Sequence, residues 1–101
     1  MIVCVALFEL QIEYAQSLKD KRAVVKSLRD RLQHTFHCSA NEVALHDVHE
    51  RARMAVSFIA DRTDSADSLL DKIQQYVEGH SNAVLAGWTS EKLHFDEDAD
   101  L

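Results

Sequence analysis

The densest group of titratable side chains lies at residues 46–51, which read His-Asp-Val-His-Glu-Arg. Imidazole beside carboxylate can support acid–base catalysis or hold a metal ion. No zinc spacing such as a paired CxxC or HExxH occurs there, and polar residues also collect in turns for conformational reasons. We interpret His46, Asp47 and His49 as a polar turn cluster of unassigned role, and we predict no catalytic residue, metal or other cofactor. A metal or hydrolase site at this turn is the alternative.

A second group with possible chemistry is a row of basic residues whose spacing fits one side of a helix. Such a row can neutralise several phosphates and position a protein on RNA. The alternative is a solvated helix edge, because Asp20 and Asp30 intervene and helices commonly carry such charges. We predict nucleic-acid contact at Lys19, Arg22, Lys26 and Arg29 of this row and at Arg51 of the turn.

The composition limits the classes of protein to which the chain can belong. A length of 101 residues, with 47% hydrophobic and 28% charged residues, is typical of one globular domain. The formal charge of −6 opposes non-specific attraction to phosphate polymers, so RNA contact would require a local basic patch. Because the chain has no proline and only two glycines, it lacks a Gly-rich nucleotide-binding motif.

Cysteine usage and hydropathy predict a cytoplasmic protein. Cys4 and Cys38 are far apart, and one falls in an apolar strand pattern, which does not support a disulfide framework. Residues 1–10 are apolar but contain Glu9 and lack a basic leader, so they are not typical of a signal peptide. No apolar run approaches the roughly 20 residues that span a bilayer, and no membrane segment is predicted.

Hydrophobic periodicity predicts three strands and one helix in the first sixty residues. Residues 2–12 alternate between an apolar face and a mixed face, as a strand does. Ser17 is the expected N-cap of a helix that runs to about Phe36. Residues 42–45 and 52–60 form the next two strands, with the polar turn cluster between them.

The remaining residues predict a helix and a last strand. Thr63 or Asp64 is the expected cap of the second helix, and Gly79 is expected to end it in a left-handed turn. Residues 83–95 form the last strand, with Val84, Ala86 and Trp88 expected on one face. We predict one domain at residues 1–95 and a frayed acidic tail at residues 96–101.

This order of elements predicts an α+β fold, a ferredoxin-like βαββαβ two-layer sandwich. Its four-stranded antiparallel sheet carries both helices on one face. Phe8 and Phe58 share the most apolar face and are expected inside, so the open face lacks the stacking aromatics of an RNA-recognition motif. The open face is apolar and predicts self-association through Val3, Val5, Leu7 and Ile59.

Several sequence blocks resemble the YlxP-like family of small bacterial proteins. They are MIVCVALFELQI at residues 1–12, SLKDKR at 17–22, VKSL at 25–28, Glu42-Val43, His46-Asp47 and Arg51-Ala52. The resemblance implies a ferredoxin-like fold and, because genes of this family often lie among those for translation and ribosome maturation, a connection to RNA or the ribosome. It implies no biochemical activity. The sequence departs from the family pattern at His49, where an aromatic residue is common, and in its longer acidic tail.

The leading hypothesis is therefore a non-enzymatic bacterial protein that binds RNA or the ribosome. The alternative hypothesis is a homo-oligomeric interaction protein that uses the open face of its sheet.

Overall fold

A computed structural model describes all 101 residues. Its elements are β1 (Ile2–Gln11), α1 (Leu18–Phe36), β2 (Ser39–Ala44), β3 (Arg51–Ala60), α2 (Thr63–His80) and β4 (Val84–His94). The strands form one antiparallel sheet in the order β2-β3-β1-β4. Buried residues of both helices and of one sheet face make a single core. The predicted ferredoxin-like α+β sandwich is thereby confirmed.

Strict alternation in β1 and β3 separates a buried face from an open face. The buried side chains of β1 and of the residue that follows it are at most 5% exposed: Ile2, Cys4, Ala6, Phe8, Leu10 and Ile12. Cross-strand pairing sets Phe8 opposite Met54 and Cys4 opposite Phe58, so the two central strands turn the same face to the helices. The prediction that Phe8 and Phe58 lie inside is confirmed.

The first helix has the bounds and the cap that its sequence predicted. Ser17 Oγ accepts a hydrogen bond from the backbone N–H of Asp20 at 3.1 Å. Asp20 Oδ2 in turn accepts from the backbone N–H of Gln16 at 3.0 Å, one residue before the cap. These bonds satisfy donors at the helix start, where the carboxylate also suits the positive end of the helix dipole.

Strand β2 begins at Ser39, three residues earlier than predicted. His37 ends α1 in the left-handed region, with φ of 52°, and its N–H donates to Gln33 O at 3.0 Å. The chain can therefore enter the sheet at once, and Ala40 packs into the core opposite Val56. Ser-Ala-Asn has weak intrinsic strand preference, so tertiary pairing decides this boundary.

Two predictions for α2 are wrong. Its N-cap is Arg62, which makes no side-chain capping bond, whereas Asp64 lies inside the first turn and accepts from the N–H of Ser65. Gly79 does not end the helix, which continues to His80. The left-handed residue after α2 is Asn82, with φ of 56°, and neither glycine has a positive φ. Asparagine tolerates this conformation better than most side chains.

A one-residue bulge changes the predicted faces of β4. Glu9 pairs with Gly87 but Leu10 pairs with Leu85, so Ala86 is the extra residue. Trp88 therefore lies on the core side and stacks on Phe8, with ring centroids 5.5 Å apart. Val84, beyond the bulge, is 56% exposed. The prediction that Val84, Ala86 and Trp88 share one face is wrong.

Polar contacts connect the second helix to its neighbours. Arg31 of α1 donates to the carbonyl oxygen of His80 at 2.6 Å, which satisfies the C-terminal end of α2. Its guanidinium also lies 5.8 Å from the ring centre of Tyr76. Lys92 of β4 pairs with Asp67 of α2. Neither helix is both long and apolar enough to cross a membrane.

The buried cysteines give a test of the core. Cys4 and Cys38 are free and buried, and loss of hydration raises the pKa of both thiols. Because the thiolate is the reactive form, we expect the native protein to react with a disulfide reagent at pH 8 at least about 10-fold more slowly than free cysteine. Both thiols should react fully in denaturant. Fast labelling of the native chain would contradict the packing described here.

Candidate functional site

A buried lysine organises the turn between β2 and β3. Lys21 lies on the core side of α1, one turn before Val25, and its side chain is fully buried. Its ammonium donates to the carbonyl oxygens of Leu45 at 2.5 Å and Val48 at 2.6 Å. Glu42 Oε2 of β2 lies 2.9 Å from the same nitrogen. A buried charge is tolerated only when it is paired and hydrogen-bonded, and these three oxygens meet that requirement.

The lysine fixes the backbone that carries the polar turn cluster. Leu45 has a φ of 61°, which a branched apolar residue rarely adopts, and its carbonyl is one of the two that Lys21 binds. Val48 N–H donates to Leu45 O at 3.0 Å, which closes the turn on itself. The path of residues 45–48 therefore depends on α1 as well as on the local sequence.

The side chains of the turn cluster do not converge on one point. His46 and Asp47 are exposed; His46 Nε2 lies 3.4 Å from Glu42 O. His49 pairs only with its neighbour Glu50, at 3.8 Å. No three histidine, cysteine, aspartate or glutamate side chains come together to hold a metal ion anywhere in the structure.

Three of the predicted basic residues line one groove. Arg22, Lys26 and Arg29 of α1 form one wall of a cleft of about 340 Å³. The opposite wall comes from β2 and the start of the turn, through Asn41, Glu42 and His46. Lys19 is exposed on the same side of the helix by its spacing but does not line the cleft. We call this cleft the α1–β2 groove.

Two features leave the α1–β2 groove open to an anionic partner. Arg22 and Lys26 form no ion pair, whereas Arg29 is held by its neighbour Asp30 at 3.1 Å. Strand β2 is an edge of the sheet, so one row of its backbone N–H and C=O groups has no strand partner. The groove thus places two cations without an ion pair beside an edge strand of the sheet.

Arg51 does not belong to this groove. It starts β3 on the open face of the sheet, opposite the face that the helices cover. There it binds Glu9 through two hydrogen bonds of 3.2 Å, and Arg53 donates to the same carboxylate at 2.8 Å. The structure therefore separates Arg51 from the four α1 residues that were predicted to bind nucleic acid with it. Alternation along β3 is the physical reason, because residues 51 and 53 share a face.

The predicted apolar residues do share the open face. Val3, Val5 and Leu7 alternate with the buried positions of β1, and Ile59 lies opposite Val3. Val5 is 46% and Ile59 69% exposed, while Val3 and Leu7 are partly buried by their neighbours. The open face therefore has an ionic end around Glu9 and an apolar end around Val3.

Charge is distributed unevenly between the two halves of the chain. Residues 1–60 contain eight basic and seven acidic side chains, whereas residues 61–101 contain three basic and ten acidic ones. Helix α1 packs beside β2, whereas α2 and β4 lie toward the other edge of the sheet, so the acidic excess is concentrated on the α2 and β4 side. Although the whole chain has a net charge of −6, the side formed by α1 and β2 belongs to the half of the sequence that is close to neutral.

Fold and site together define a small ferredoxin-like α+β protein with a basic groove. The chain belongs to DUF503, a family described as protein of unknown function, whose model matches residues 3–89. No curated protein matches the chain in sequence. A de novo designed protein with a ferredoxin fold, solved by solution NMR, is similar in structure. Its TM-score is 0.45 at 16% identity, over 100% of this chain and 93% of the designed one.

The sequence analysis missed Lys21, Glu9 and Arg53 as organising residues. Lys21 precedes Val25, Leu28 and Leu32 with helical spacing, so a lysine on the core stripe was the available signal. Glu9 is the single charge within an otherwise apolar strand. The cross-strand register that brings Arg53 beside it is a tertiary property.

Replacing Lys21 tests its structural role. Lys21→Met keeps an unbranched side chain but removes the cation beside Glu42 and the Nζ donor to the carbonyl oxygens of Leu45 and Val48. We expect a loss of about 3–5 kcal/mol in the free energy of unfolding, measured by urea denaturation. The control Lys19→Met, on the exposed side of the same helix, should change it by no more than about 0.5 kcal/mol.

Adding Glu42→Gln to Lys21→Met should recover part of the loss, because the unpaired buried carboxylate is then removed. Equal stability of the two single methionine variants would contradict the role of Lys21.

The Glu9 cluster predicts a pH dependence of stability. Hydrogen bonds from Arg51 and then Arg53 hold the pKa of Glu9 below its usual range. A lowered folded-state pKa stabilises the protein at neutral pH, and that contribution is lost as the pH falls through the folded value. We expect Glu9→Gln to be less stable than the parent at about pH 7, with the difference vanishing toward about pH 2.

Urea denaturation across this pH range measures the effect, and Glu78→Gln, which removes an exposed carboxylate that forms no ion pair, is the control. A difference between Glu9→Gln and the parent that stays constant with pH would contradict the ionic role of Glu9.

Proposed function

We propose that the protein binds RNA, free or within the ribosome, through the α1–β2 groove, without catalysing a reaction. The observation that carries the proposal is the row of Arg22, Lys26 and Arg29 along one wall of the groove. Guanidinium and ammonium groups are the usual partners of backbone phosphate, and guanidinium can bind it in a bidentate manner.

The geometry supports binding to a phosphate backbone in preference to bases. Arg22 and Arg29 are seven residues apart, which is about 10 Å along a helix. Asn41 and the free backbone edge of β2 add neutral donors and acceptors on the other wall, suitable for phosphate or ribose hydroxyl groups. No phenylalanine, tyrosine or tryptophan lines the groove, so the imidazole of His46 is the one ring there on which a base could stack.

The open face of the sheet is a poorer candidate for RNA. Single-stranded RNA on a sheet of this kind normally stacks on exposed aromatic residues of the central strands. Phe8 and Phe58 are 1% and 8% exposed and face the helices. Arg51 and Arg53 are neutralised in part by Glu9. We therefore assign the RNA contact to the helix side, and we no longer propose Arg51 as a contact residue.

The YlxP-like sequence blocks favour the same proposal. They include residues 17–22 and 25–28, which contain Lys19, Arg22 and Lys26. The translation context of that family makes ribosomal RNA the first partner to test, in a bacterial cytoplasm.

Binding to RNA should depend on salt and on the groove cations. About three phosphate contacts on a single strand predict a log–log salt slope near −2, or roughly a 15-fold weakening from about 50 to about 200 mM salt. Fluorescence anisotropy of a labelled oligouridylate measures this slope. Arg22→Glu with Lys26→Glu should weaken binding at the lower salt concentration by at least about 10-fold.

The matched control reverses the charge of two basic residues outside the groove, one at the N-cap of α2 and one within α2. Arg62→Glu with Lys72→Glu changes the net charge by the same amount on α2, away from the groove, and should bind RNA like the parent. Cosedimentation with ribosomes at low salt, with the same pair of variants, extends the test to the assembled particle. Equal losses in the two double variants, or no binding of the parent to either partner, would overturn the proposal.

A further inference from the structure

We infer that the open face of the sheet binds a second copy of this chain, face to face. The apolar end of this face consists of Val3 with Ile59 and Leu93 opposite it on the neighbouring strands, and of Val5 in the next row. Ile59 is 69%, Leu93 60% and Val5 46% exposed. Three large aliphatic side chains this exposed on one regular surface are what an interface between sheets buries.

The open face has no net charge, which favours its association with a second copy of the chain. The face carries two guanidinium groups, Arg51 and Arg53, and two carboxylates, Glu9 and Glu91, so it is neutral in a chain of net charge −6. Two copies can therefore approach through this face without the repulsion that their acidic halves would impose.

The same charges favour an antiparallel arrangement of the two copies. The arginines lie in the rows of Glu9 and Gln11, while Glu91 lies in the row of Val5. Four residues separate Val5 from Glu9 along β1, which is about 13 Å. When the strands of two stacked copies run in opposite directions about the Leu7 row, Arg53 of each copy faces Glu91 of the other. The Val3 row of each copy then covers Gln11 and the aliphatic stem of Arg51 in the other. A two-fold axis makes both contacts at once.

The size of the face fits a dimer of moderate stability. Strands of about ten residues at about 3.3 Å each, with four strands about 4.8 Å apart, give roughly 600 Å² per copy. The roughly 1,200 Å² buried by two copies is at the lower end of the range for specific interfaces. We therefore expect a dimer whose population depends on concentration.

The basic wall of the α1–β2 groove lies on the helix side, whereas Asn41 of the other wall lies at the edge of the open face. In a face-to-face dimer the basic walls of both grooves remain exposed on the outer surfaces. If both grooves bind, two sites in one particle would raise the apparent affinity for a long RNA without any new contact. The dimer itself can be tested without RNA.

Sedimentation velocity over a range from about 10 µM to about 1 mM tests the inference. We expect the parent to shift from monomer toward dimer as concentration rises. Ile59→Lys, at a position 69% exposed, should abolish the shift with unchanged circular dichroism. Tyr14→Lys, at a position 56% exposed outside the sheet, is the matched control and should dimerise like the parent.

A charge exchange tests the arrangement. Glu91→Arg should weaken the dimer, and adding Arg53→Glu should restore it at least in part. A parent that stays monomeric up to about 1 mM overturns the inference, whether or not the face captures another protein. A dimer that Ile59→Lys leaves intact, or that Tyr14→Lys abolishes equally, also overturns it.

Discussion

The buried ammonium of Lys21 is the interaction on which the candidate site depends. An unpaired charge in this position would cost several kcal/mol, so β2 and the turn after it must bring oxygens to the ammonium that α1 supplies. Because Glu42 is also part of the groove wall, the same ion pair sets the distance between α1 and the edge of β2. The position of the exposed groove residues therefore depends on the fully buried ammonium of Lys21.

The two faces of the sheet differ in chemistry: one forms the apolar core with the helices, and the other is open and carries an ionic cluster. On the helix side, alternating aliphatic and aromatic residues of β1 and β3 form the core, and Trp88 extends it onto β4 through its contact with Phe8. On the open side, the single carboxylate of Glu9 satisfies two arginines of β3 across the strand. This ionic end limits the apolar surface to the other half of the face, where Ile59 and Leu93 lie.

Most of the fold could be predicted from the sequence because its local signals agree with the tertiary structure. Alternation identified the faces of β1, and Ser17 with Asp20 identified the start of α1. The errors occur where long-range packing decides. The bulge at Ala86 follows from pairing with β1, and the helix passes through Gly79 because nothing there requires a left-handed residue.

The candidate site was predicted in part for the same reason. Helical spacing placed Arg22, Lys26 and Arg29 together, since neighbours on one helix are set by local geometry. Arg51, which was predicted from the turn and not from the helix, does not lie beside them, because it belongs to the open face of the sheet. The role of Lys21 required knowing which turn packs over the helix.

The division of charge gives the molecule an electric dipole across the sheet. Its negative pole lies on the side of α2, β4 and the acidic tail, and its less negative pole lies at α1 and the edge of β2. In the field of a polyanion such a dipole orients the protein so that the α1–β2 groove faces the polyanion before contact. The net negative charge of the protein at the same time opposes their approach. At about 0.1 M salt both effects are largely screened beyond about 10 Å, so orientation and repulsion weaken together as ionic strength rises.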